Sequence, residues 1–429
     1  MKFFQTTLLV IFGGLAITSL IIFATYRGGT SVENAQIILW GTMPEGNFQK
    51  IVDIARSGGD KTLNVKYVRK SVETFDTDII EALATNTGPD AVVLPSDLIV
   101  RLSNVIYPIP YTTISVTDYK NTFASISEIY LTPQGALALP VSVDPMVLYW
   151  NRSIFNQIRK SVPTEWGQLQ TLAPDLTLKD KNNNIIRSAV GMGEFSNVTN
   201  AKNILLTLMM QAGAPLVTYD GEKYNVSISN SQVIGQLSPT AAALRFFTDF
   251  ANPTKSTYSW NRALSTDKTF FSQGSLAMYL GLMSEYNNLL LKNPNLDFDV
   301  TMIPQKAGTT VPLTYGNLTG LAIMKASANK QAAFNHLYRL VQSDTSLEWT
   351  KLSGTVSARR DILLSKPIDP VQDLAFRSTF LAKTWLDPQG PKTNGYIKNM
   401  IEGVVTGRNG IDDSVSRFSD QVSLLLSNK

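Results

Sequence analysis

One histidine, no cysteine and a scatter of carboxylates are what this 429-residue chain offers to chemistry. His336 stands alone between Phe334 and Leu337, placed by spacing at the surface or boundary of a helix, with no second imidazole for a metal site. A serine triad would need it beside a strained elbow, and no G-x-S-x-G occurs. The absence of cysteine removes disulfides, thiolate metal sites, a thiol nucleophile and a lipidated N-terminal Cys. Asp97, Asp144 and Glu285 invite a glycosidase reading, which needs two carboxylates flanking the scissile bond. Asp180–Asn184 alternates acid and amide as a calcium loop does. The positions that should hold Gly and Glu carry Ile185 and Gly191, so a hairpin turn rich in Asn is expected instead. Gly58–Thr62 lacks the upstream glycine of a phosphate loop and suits a helix cap and turn.

Such residues need elements to hold them, and the totals bound what those are. A hydrophobic fraction of 44% and a charged fraction of 17% describe a globular chain. Its length calls for two lobes or domains. A net charge of +4 without a basic stripe argues against nucleic acid. No charge occurs between Lys2 and Arg27, and Leu8–Ala24 is almost wholly apolar. That run is long enough to span a bilayer and ends in a poor cleavage site. An uncleaved anchor at residues 1–27 is expected over a cleaved signal, which would leave the protein secreted, with the N-terminus inside and everything after the 28–35 linker outside.

Ile37–Trp40, Leu63–Val68 and Ala91–Leu94 suit short buried strands, and helical stripes run from Phe48 to Ala55 and from Phe75 to Leu83. Strand-helix-strand-helix-strand implies a parallel sheet with right-handed crossovers. Ligands bind beyond the C-terminal strand ends of such sheets, here at Trp40–Glu45 and Pro95–Asp97. No G-x-G-x-x-G follows the first strand, which disfavours a dinucleotide site. Leu137–Phe155 holds a strand ending at Pro140, a second run from Met146 to Trp150 and a helix cap at Asn151, as in a chain crossing from one lobe to another. Later come mostly helices, then Phe270–Gly281, where a short helix meets a glycine and a buried Ala-Met strand follows. Gly316–Ile323 and Gly354–Arg359 look like two further crossings.

In the order and spacing of these blocks, residues 36–429 resemble the extracellular solute-binding proteins of ABC importers, the maltodextrin-binding-like family. The resemblance implies an α/β, two-lobe periplasmic-binding-protein-like fold of class II. Each lobe would be a mainly parallel sheet flanked by helices, joined to the other by a multi-strand hinge, with an N-terminal transmembrane helix. Residues 36–143 and 317–353 would form the first lobe, and residues 144–316 and 354–429 the second. The implied function is binding without catalysis or cofactor. A carbohydrate is held between lobes that close on it and is handed to permease subunits by a membrane-tethered monomer on the extracytoplasmic side. A tethered sensor or scavenging receptor, or a polyamine or amino-sugar binder, would use the same fold.

By position against that family the solute would meet Trp40, Glu45, Asp97, Asp144, Ser196, Asn197, Tyr279, Glu285, Tyr286, Asn317, Asn394 and Tyr396. Carboxylates would accept hydroxyl hydrogen bonds, and aromatic faces would cover the apolar side of a sugar ring. Plainer roles stand beside these: Trp40 and Tyr279 suit the core, and Asp97 suits a helix N-cap. Many sugar-binding relatives carry a tryptophan just after the Ala-Met strand. This chain has Leu282-Met283-Ser284 there, with Tyr286 nearby.

Overall fold

The computed structural model describes residues 35–58, 62–230 and 237–427. The expected anchor, the linker up to Asn34 and residues 59–61 of the turn after the first helix lie outside them. Among the described residues no helix is long and apolar enough to cross a membrane.

The chain opens with β1 (Ile37–Gly41), α1 (Glu45–Ser57), β2 (Val65–Arg69), α2 (Phe75–Ala84) and β3 (Ala91–Pro95). Phe48, Ile51, Val52 and Ala55 recur at helical spacing and form the buried face of α1. β1 pairs in parallel with β2 and with β3, as right-handed crossovers require.

β4 (Leu139–Asn151) is a single strand of 13 residues, all buried except half-buried Trp150. Expecting a break at Pro140 was therefore mistaken. Pro140 lacks an N–H to donate, and the strand absorbs it with a register shift opposite Thr319 and Gly320. β4 is buried because partner strands flank both of its edges along its length and helices pack on it. Its first half pairs with β8 (Thr314–Met324) and β9 (Val356–Ser357). Its second half, from Met146 on, pairs with β6 (Leu276–Leu282) and β7 (Phe298–Met302). β6 also pairs in parallel with β5 (Ile185–Val190). The main path of the sheet is thus β2-β1-β3-β8-β4-β6-β5.

The result is a two-lobe α/β fold in which the three expected crossings lie side by side. The lobes are mixed rather than mainly parallel: every pair made by β4 is antiparallel, as is β8 with β3. The cause is that a strand entering a lobe from the other one runs against the strands already there.

Helices cover both lobes. They include α3 (Ala201–Gln211), α4 (Ser343–Ser353), α5 (Pro370–Leu381), α6 (Gly390–Val405) and α7 (Ile411–Leu426). α4 ends at Gly354 in the left-handed region, φ +72°. α5 escaped the sequence reading, although Asp369 caps Val371 N–H at 3.0 Å and Pro370 takes the first helical position. The Asn-rich segment is a hairpin turn as expected, with Asp180 accepting from the N–H groups of Asn182 and Asn184. His336 departs from expectation. It is buried, with Nε2 3.1 Å from the carbonyl oxygen of Ala35, a partner 301 positions away.

Candidate functional site

In the first lobe, Trp40 is buried one residue before the end of β1, with the Lys70 ammonium 3.8 Å over its ring. Gly41 follows because a Cβ there would lie 2.7 Å from Val93 and 2.8 Å from the Tyr67 hydroxyl. Glu45 is exposed at the first position of α1, where a negative charge suits the helix dipole, and accepts from Arg69 N–H at 3.4 Å. Asp97 lies within the 3-10 turn Ser96–Leu98 rather than capping a helix.

In the second lobe four of the expected contact residues are buried and bonded within the protein. Asn197 donates to the carbonyls of Asn261 and Leu264 at 2.9 and 3.1 Å and accepts from the Trp260 indole at 3.0 Å. Glu285 accepts from Tyr279 at 2.6 Å, Asn200 at 2.9 Å and Leu282 N–H at 3.0 Å, and pairs with Lys268 at 2.7 Å. Burial works to raise the Glu285 pKa, yet these bonds outweigh it and hold the carboxyl below its ordinary value. Asp144 accepts from the Ser284 N–H at 2.9 Å and hydroxyl at 2.6 Å. Here burial wins over those bonds and the pKa rises to about 6.

The remaining expected residues are dispersed. Ser196 is exposed beside buried Asn197. Asn317 stands opposite Asp144 in the β8–β4 register and accepts from the Tyr315 hydroxyl at 3.0 Å. Tyr286 is half-buried, edge-on to Phe298. Asn394 is exposed on α6, and Tyr396 lines a small cavity between α6 and α7 with Asn409 and Arg417.

Two places carry the remaining polar groups. One is a groove of about 550 Å³ beside the third crossing. Tyr286 and Asn287 line it from the second lobe, Thr350 and Lys351 from α4, and Thr355 from the crossing, with Asp369 at the start of α5. Its floor adjoins the Asp144–Ser284 pair, since a Cβ on Gly354 would lie 3.2 Å from the Ser284 carbonyl.

The other place surrounds Asp97. The Asp97 carboxylate abuts Gly390, where a Cβ would lie 2.6 Å from Oδ2. Lys202, in the first turn of α3, reaches Asp387 at 2.7 Å and Thr393 at 3.0 Å. Thr393 in turn donates to Asp387. Burial raises the Asp97 pKa, Asp387 raises it further, and Lys202 pulls it partly back. The same two carboxylates help to push up the buried Tyr315 phenol.

Lys202, Tyr315, Asp387 and Thr393 were not foreseen. Lys202 carries a signal that could have been used: a cation in the first turn of a helix opposes the dipole and needs a partner elsewhere. The partner, Asp387, lies 185 positions away.

Residues 58–335, more than half of the chain, match the family described as bacterial extracellular solute-binding protein. None of the curated proteins matches the sequence. Among solved structures, a cyclo/maltodextrin-binding protein complexed with maltotetraose is 13% identical and has a TM-score of 0.73, covering 90% of this chain and 96% of its own. The GacH receptor of Streptomyces glaucescens GLA.O, determined unliganded and with acarbose, is 14% identical with a TM-score of 0.70, over 92% and 98%. An extracellular solute-binding protein from Staphylococcus aureus, in complex with maltose, is 15% identical with a TM-score of 0.70, over 91% and 97%. At such identities these likenesses speak for the fold. The family match adds the class, and the chain belongs to the bacterial extracellular solute-binding proteins, a family of binders and not of enzymes.

Proposed function

We propose that this protein is the extracytoplasmic substrate-binding component of an ABC import system. It binds a carbohydrate between lobes that close on it and delivers it, as a monomer, to a permease. The observation that carries this reading is the family match over residues 58–335 on a fold whose two lobes both contribute polar side chains to one groove. Structural neighbours described with maltotetraose, acarbose and maltose favour a carbohydrate. On this reading residues 36–143 and 317–353 move against residues 144–316 and 354–429, and the N-terminal segment tethers both to the membrane.

Trp40, Glu45, Asp97, Ser196, Tyr286 and Asn317 are our candidates for solute contact. Asp144, Asn197, Tyr279 and Glu285 hold the loops that carry the site, because their polar atoms are already bonded. A thermal-shift screen of the full chain against malto-oligosaccharides, other oligosaccharides and polyamines tests the proposal. A true solute at ~100 times its dissociation constant stabilises by ~2.7 kcal/mol. The absence of a shift with every carbohydrate overturns the reading.

A further inference from the structure

The crossing strands have two faces. Asp144 on β4 stands opposite Asn317 on β8, so their side chains share one face. Val143 and Gly316 turn to the other, where a Cβ on Gly316 would lie 3.0 Å from Ala382, 3.3 Å from Val143 and 3.4 Å from Ile126. Glu128 and Ile129, shortly after Ile126, and Leu386, shortly after Ala382, line a crevice of about 470 Å³. The crevice therefore lies toward the face away from Asp144. Tyr219, Glu222 and Tyr224 line it too, and they belong to a hairpin of Val217–Tyr219 and Tyr224–Val226.

That hairpin is rooted in the second lobe and touches the first. At its base Ser227 N–H donates to the Leu216 carbonyl at 2.8 Å, and Ser229 meets Ser419 of α7 at 3.3 Å. Its tip is stiff. Asp220 accepts from the N–H groups of Glu222 at 3.0 Å and Lys223 at 2.9 Å and from the Asn225 amide at 2.9 Å, while Gly221 takes φ +103°. A Cβ on Gly221 would lie 3.3 Å from Pro133, in a first-lobe turn that Thr132 braces by donating to the Gly135 carbonyl at 2.8 Å. The Tyr224 hydroxyl is hydrogen-bonded to the Ser103 side chain, and its ring packs on Tyr219 at 4.8 Å between centroids. Two braced turns thus meet, one from each lobe, with a hydrogen bond beside them.

Resting on the closure reading above, we propose that this hairpin is a strut that favours the open arrangement of the lobes and so sets solute affinity from a distance. Bending about the crossing strands that narrows the space on the Asp144 face widens it on the opposite face. Closing over solute therefore pulls the tip from Pro133 and Tyr224 from Ser103, and the lost contact opposes closure. Weakening the contact should raise the closed population before any solute arrives, and affinity rises with the share of the competent form.

Spin labels test this in the full chain, which has no cysteine of its own. Gly46→Cys and Gly395→Cys supply one site in each lobe, beside Glu45 and Asn394, where a Cβ meets nothing within 4 Å. Without solute, Tyr224→Phe should raise the ratio of the shorter to the longer interlobe distance about fivefold, the weight of one hydrogen bond. Tyr224→Ala should do so at least as strongly. Ser103→Ala should match Tyr224→Phe, and the double variant should go no further, because both remove the same bond. Titration with maltotetraose should show binding tightened by a similar factor in Tyr224→Phe. Distances that stay unchanged in both Tyr224 variants, or that lengthen, overturn the strut. If maltotetraose binds neither the native chain nor the variants, the malto-oligosaccharide reading falls, and the solute-free distances still decide the strut.

Discussion

Asp144 and Glu285 are both buried carboxylates of the second lobe and its entrance, yet their environments push them in opposite directions. Burial of Asp144 outweighs the two donors from Ser284 and pushes its pKa up to about 6. Its ordinary value is 3.8, so the folded state binds the proton more tightly. Its contribution to stability is therefore present at low pH and lost as pH rises from about 4 to about 6, on the order of 3 kcal/mol. Asp144→Asn should flatten that segment of the stability curve, as urea midpoints at several pH values would show. Glu285 has the opposite sign. Its depressed pKa stabilises the fold above its ordinary range, and that stability disappears as pH falls through the folded value. Removing it in Glu285→Ala strands Tyr279 and Asn200 and frees Lys268 to rehydrate. A loss of about 3 kcal/mol is expected in chemical denaturation, near the low end for a broken buried pair.

At the scale of elements, the hinge depends on close approach. Gly320 faces β4 where Pro140 interrupts the ladder, and a Cβ there would lie 2.9 Å from Ala138, 3.0 Å from the Tyr130 ring and 3.1 Å from the Leu139 carbonyl. Gly320→Ala should cost roughly 1–3 kcal/mol by overpacking, read as a lower denaturant midpoint with an unchanged slope. Gly390 opens α6 against Asp97, so Gly390→Ala should displace the carboxylate and weaken solute binding. A variant that bound solute as tightly as the native chain would remove Asp97 from the site. These elements were legible in unequal measure. The α1 stripe was visible because periodicity is a local property. The continuity of β4 was not. Only neighbours on both edges hold a strand straight through two prolines, and those neighbours come from residues 276–324 and 356–357.

For the molecule as a whole, three crossings placed side by side allow bending without separation. If solute bridges loops of both lobes as proposed, it should lower the radius of gyration measured by X-ray scattering. An unchanged radius at saturating solute would reject closure as the response to binding.

Composition and order were enough to determine the class of this protein. One histidine and no cysteine leave little for catalysis, and the succession of strands, helices and three crossings carries the two-lobe plan. Which carboxylates are already bonded within the protein was decided only by tertiary structure. Whether an acid is available depends on whether its oxygens already have donors, and those donors are remote in sequence. Asp144 meets Ser284 across 140 positions and Asp387 meets Lys202 across 185. Asp97 packs against Gly390, 293 positions away, with Lys202 acting on its charge.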